Sequence, residues 1–172
     1  VNRWLWVINS GGPVVYAVAF GCFDHLDQDY VLCGRTEDMA RFLPVFLAAF
    51  ASFGFGALWY MALSQPWMEA AGKTEADMLD ENGKPVVPVG PMFTSFISEL
   101  FMAVVFAVVL VRIGATTLNG ALVGFLLWAG FVMTTLATNH AYGGQKRALT
   151  IIDGGHWLGV LMIQGLILGA AM

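Results

Sequence analysis

Residues 42–63 read FLPVFLAAFASFGFGALWYMAL, an uncharged run matching the roughly 20 apolar residues that carry a helix across a bilayer. Runs of comparable length follow at 91–112, 118–138 and 151–172. The second contains Glu99, the third is uncharged, and the fourth has Asp153 and His156 near its start. Thr116–Asn119 and Asn139–Thr150 are short connections, so neighbouring spans must run antiparallel. The expected fold is an all-α integral membrane protein, an antiparallel bundle of four transmembrane helices.

Composition supports that class. The chain has 172 residues, of which 58% are hydrophobic and 12% charged, about half the usual share of charge. This length gives one membrane domain, 39–172, with no room for a separate soluble enzyme. A net charge of −4 without a Lys/Arg run excludes nucleic acid, whose binding rests on basic contacts to phosphate. The expected surroundings are the lipid bilayer.

Residues 1–38 fit less well. Trp4–Phe23 is uncharged but interrupted by Asn9-Ser10-Gly11-Gly12-Pro13. An extra span, a signal-like segment and an interfacial stretch all stay open, as does a non-native extension with Met39 as the natural start. Cys22 and Cys33 permit one disulfide at most. The segment 64–90 is polar, with Thr74-x-x-Asp77 resembling a capping box and Asn82-Gly83 a turn. Trp67 is expected at the headgroup level. Lys73, Lys84, Lys146 and Arg147 flank one side of the membrane, against Arg35, Arg41 and Arg112 on the other, so the side of loops 64–90 and 139–150 leans cytoplasmic.

Small residues let helix backbones approach in lipid. Ala48, Ser52 and Gly56 recur in the first span, Gly120 and Gly124 in the third, and Gly155, Gly159, Gly165 and Gly169 in the fourth. These stripes predict bundle interfaces. They can equally serve a homodimer or a partner in a larger membrane complex.

Ionisable residues inside a span are costly and point to function. Antiparallel order puts Trp59, Tyr60, Glu99, Thr135, Asn139, His140, Asp153 and His156 in one membrane half, which predicts a one-sided polar pocket. At 1.5 Å per residue Glu99 should lie about 10 Å inside its span. The opposite half holds little that is polar beyond Asn119 and Gln164. Each pocket residue also has a structural reading. Thr150-x-x-Asp153 reads as a cap on the fourth helix, His156 as a hydrogen-bonded core histidine paired with Asp153, and His140 as a solvated interface residue. Glu99 needs a counter-group from another helix or must be protonated. No nucleophile with a base and no metal-ligand motif stands out, so no cofactor, metal or enzymatic activity is expected.

Phe50-x-x-Phe53-x-x-Gly56-Ala57-Leu58-Trp59-Tyr60 followed by Trp67-Met68 resembles the GxLWY…W pattern of small bacterial membrane proteins catalogued as domain of unknown function 1761. Pro91-Met92, Trp128-Ala129-Gly130-Phe131-x-x-Thr134-Thr135 with Thr138-Asn139, and Asp153-x-x-His156 are similar to that family's later signatures, in order. The resemblance covers Met39–Met172, and the connection Met61–Pro66 is shorter than is usual in the family. It implies a four-helix membrane bundle and no particular activity, and the expected location is the bacterial inner membrane. Three functions compete: a structural or binding pocket, a proton- or metal-coupled carrier using Glu99 and the Asp153/His156 pair, and an accessory subunit of a membrane complex.

Overall fold

The computed structural model describes the backbone of residues 35–171 and the side chains of residues 42–171. The expectations for residues 1–34, including the Cys22–Cys33 disulfide and an extra span, lie outside the described residues. The helices are α1 (Arg35–Ala62), α2 (Ser64–Ala71), α3 (Val89–Ile113), α4 (Thr117–Leu127), α5 (Met133–Tyr142) and α6 (Arg147–Ala170). A π turn, Trp128–Val132, joins α4 to α5 into one span. Four helical segments, Phe42–Ala62, Val89–Ile113, Thr117–Tyr142 and Arg147–Ala170, are long and apolar enough to cross a membrane. The chain is an all-α membrane-protein bundle.

Span ends follow local chemistry. Gly114 stops α3 in the left-handed region at φ 60°, donating its N–H back to the last turn. The polar connection holds a 3₁₀ turn, Glu75–Met78. There the Asp77 carboxylate accepts the Thr74 backbone N–H at 2.7 Å and the Thr74 hydroxyl at 2.8 Å. The backbone bond first, then the hydroxyl, holds the Asp77 carboxyl below the usual carboxylate range. Gly83, at φ 72°, turns the chain so that Leu79 and Pro85 pair in a single antiparallel bridge.

Two of the spans meet backbone to backbone. A Cβ added to Gly124 would lie 2.6 Å from the Leu161 carbonyl oxygen, and one on Gly169 would lie 2.7 Å from that of Thr116. Gly120 and Gly165 face each other so closely that a Cβ on either would strike the partner's carbonyl. Only glycine permits α4 and α6 to sit at this separation. The other small residues receive rings rather than backbone: Gly155 seats Trp59, Gly159 seats Phe55, and Gly56 seats the imidazole of His156. All these glycines are therefore occupied within the chain. Ala48, Ala49, Ala103, Phe106, Leu110, Leu161 and Leu168 fill the centre, and Phe96 ties α3 to α1 through Phe50 and Phe53.

The glycine seam gives a direct expectation. Gly165→Ala should cost about 1–3 kcal/mol, the range for overpacking, because the obstructing atoms are backbone on both sides. Gly54→Ala, where a Cβ meets nothing within 4 Å, should leave stability unchanged or raise it by up to about 1 kcal/mol. Reversible unfolding in detergent measures both, and equal losses would contradict the seam.

Candidate functional site

The first part of α6 is held by four aromatic donors. Trp59 Nε1–H donates to the Ile152 carbonyl at 3.1 Å, and Trp128 Nε1–H to the Gly154 carbonyl at 2.7 Å. Between them, Asp153 Oδ1 accepts the Tyr60 hydroxyl at 2.9 Å and Trp67 Nε1–H at 3.2 Å. His140 Nδ1 lies 3.0 Å from Thr150 Oγ1, and its Nε2 is 3.9 Å from Asp153 Oδ2, too long for a hydrogen bond. Asp153 and His140 retain 18% and 17% side-chain exposure, so this network opens toward the end of the bundle.

Trp67 reaches Asp153 because the corner after the first span is almost continuous helix. Leu63 N–H bonds to the Trp59 carbonyl at 3.0 Å, and Trp67 N–H to that of Leu63 at 2.9 Å. Its indole therefore belongs to the polar network rather than standing alone at a headgroup. Lys73 Nζ sits 5.2 Å over the same ring, within cation–π range.

His156 lies one turn deeper, 3% exposed. Aromatic rings surround it: Tyr60 at 4.9 Å, Trp157 at 5.0 Å and a parallel Phe55 at 6.3 Å between centroids. Its Nδ1 has no hydrogen-bond partner among the described residues. The expected pairing of His156 with Asp153 does not form, since Asp153 turns to Tyr60 and Trp67.

Glu99 is fully buried elsewhere. Ser52 Oγ lies 2.7 Å from its Oε2, and Ser95 Oγ lies 3.4 Å from its Oε1. Gln164 Nε2 donates to Ser52 Oγ at 3.2 Å and to the Glu99 carbonyl at 3.0 Å. This second polar group joins α1, α3 and α6. From Ser52 to Tyr60 is eight residues along α1, and from His156 to Gln164 eight along α6. Each interval is about 12 Å. No described hydrogen bond links the two groups.

The single pocket expected from helix order is thus corrected to two stations. Glu99 is ten residues inside α3, about 15 Å rather than 10 Å, because the helix begins at Val89. Its carboxyl meets the hydroxyls of Ser52 and Ser95, and its backbone carbonyl accepts from Gln164, a residue of the stretch assigned to the apolar half. Asp153 is no cap either: α6 starts at Arg147 with Lys146 at the N-cap, which puts Asp153 well inside the helix. His140 joins the network instead of standing in solvent. Thr135 and Asn139 are exposed and make no side-chain hydrogen bond to the pocket residues. Depth alone does not fix the face of a helix. Met133, Leu136 and His140 point toward α6, while Thr135 and Asn139 lie on the other side of the helix.

Among the described residues no three His, Cys, Asp or Glu side chains converge as a metal site requires. The mouth network instead works as a clamp of donors on Asp153. Tyr60→Phe and Trp67→Phe should each cost about 1 kcal/mol, between the intramembrane average and the value for bonds to charged groups. Thr135→Val and Asn139→Ala should stay within about 0.5 kcal/mol. Unfolding of the four variants in the same detergent checks the contrast.

Comparison with known proteins follows from this architecture. Searches of curated proteins and of solved structures each return no match. A family model described as Protein of unknown function (DUF1761) matches residues 43–169, which takes in all four spans and both stations. The chain belongs to that family.

Proposed function

We propose that this chain is a non-enzymatic multi-pass protein of the bacterial inner membrane whose mouth station, facing the cytoplasm, binds a small hydrogen-bonding solute against His156. The observation that carries this reading is the buried Nδ1 of His156, without a partner among the described residues. An unsatisfied buried polar atom costs about 1–3 kcal/mol, so a guest that bonds to it gains that amount. The wall around it is already built: Tyr60, Trp67 and Asp153 hold one another, and each is partly exposed.

The non-enzymatic part rests on how these groups are used. The Tyr60 hydroxyl and the Asp153 carboxylate are engaged with each other, and among the described residues no serine, threonine or cysteine hydrogen-bonds to His156. The inner-membrane assignment is supported by the family resemblance, and the orientation by the four basic residues beside the mouth. Lys146, one of them, donates to the Glu69 carbonyl and closes that end of the bundle. A carrier has less support because its path would have to join the two stations.

Nitrogen NMR of histidine-labelled protein in nanodiscs tests the reading. The His156 Nδ1 resonance, assigned by its loss in His156→Gln, should be hydrogen-bonded and should shift on titration with small hydroxylic solutes. An unbonded resonance that no solute moves would contradict it.

A further inference from the structure

The deeper station poses a problem of proton count. Ser52 Oγ is 2.7 Å from Glu99 Oε2 and 3.1 Å from the Ala49 carbonyl, yet a hydroxyl has one proton to give. Gln164 spends its amide on Ser52 Oγ and the Glu99 carbonyl. An ionised Glu99 would therefore hold one close donor, Ser52, and a second, Ser95, at 3.4 Å, for two oxygens that can accept about four bonds.

Among the described residues no ion pair to Glu99 is formed. The basic residues of the three helices are Arg35, Arg41, Arg112 and Arg147. The nearest along its own helix, Arg41, is eleven residues from Ser52, about 16 Å. Arg112 is thirteen from Glu99 and Arg147 seventeen from Gln164. Of the other titratable groups on these helices, Glu37 and Asp38 lie at the start of α1, fifteen and fourteen residues from Ser52, Tyr60 and Asp153 are bonded to each other at the mouth, and His156 lies among aromatic rings there. Among the described residues, the side chains that hydrogen-bond to Glu99 are Ser52, Ser95 and Gln164.

We propose that Glu99 is a proton-binding site, its carboxylic acid donating to Ser52 Oγ while the Ser52 hydroxyl donates to the Ala49 carbonyl. In this form every close contact has one donor and one acceptor. Ser52 accepts from Glu99 and from Gln164 and gives its own proton to α1. The ligand is a single proton, and it completes the bond that joins α1 to α3. This site is independent of the His156 pocket, so either reading can fail alone.

Infrared spectroscopy of the full chain in nanodiscs at neutral pH tests it. Glutamate carrying a ¹³C carboxyl should shift a carbonyl-stretch band of a protonated carboxylic acid. The chain's other glutamates, Glu37, Glu69, Glu75 and Glu81, carry the same label, so the variants assign the band. The band should vanish in Glu99→Gln and move to higher frequency in Ser52→Ala, which loses the acceptor. If Glu99→Gln fails to fold, Glu99→Asp, which keeps an acid but carries no label, should abolish the label shift instead. Carboxylate bands only would overturn the proposal. So would an acid band that appears only when sodium is removed, which would assign the oxygens to a metal cation.

Discussion

The contact on which the bundle depends is the meeting of α4 and α6 at Gly120 and Gly165, flanked by Gly124 against Leu161 and Gly169 against Thr116. In lipid the tails are as apolar as the side chains, so helices associate through close fit and polar pairing. Here backbone meets backbone with no side chain between. That seam fixes the rotation of α6 about its axis. Once one face of α6 is committed to glycine contacts, Asp153, His156 and Gln164 are left to the other helices, chiefly α1.

The same seam explains why polar groups can be spent inside a membrane. At the mouth, Tyr60 and Trp67 surround one carboxylate with donors, and Trp59 and Trp128 pin the carbonyls on either side of it. These are side chains with an apolar body and one polar atom, suited to a span end where one edge meets lipid and the other a hydrogen-bond partner. Deeper in, the groups become smaller and fewer: a hydroxyl, an amide and a carboxyl close the centre around Glu99. Both stations sit on α1 and α6, two turns apart, with Phe55 stacked on His156 at the inner edge of the mouth.

Much of this was legible in the residues. Span number follows from apolar runs such as 42–63, because length and absence of charge decide membrane crossing. The glycine positions were legible too, since small residues at fours have few uses in lipid other than close approach. The partners of each polar residue were not. Chain order gives height in the membrane and leaves rotation open, so Thr135 and Asn139 were grouped with His140 although they face away. The π turn at Trp128–Val132 widens one turn within the third span, and no residue type announces it. Trp67 was read as an interfacial ring because its reach to Asp153 depends on α1 continuing almost unbroken into α2. Position along α6 puts Gln164 in the apolar half, yet a long amide on the α1-facing side of that helix bridges two helices.

The central claim is that the intramembrane polar residues form two independent stations. A double-mutant cycle of Glu99→Gln with Asp153→Asn, read by unfolding in lipid-like detergent, tests it most directly. The two groups share no partner, so the effects should add within about 0.3–0.5 kcal/mol. A coupling energy above about 1 kcal/mol would show one connected site and contradict the account.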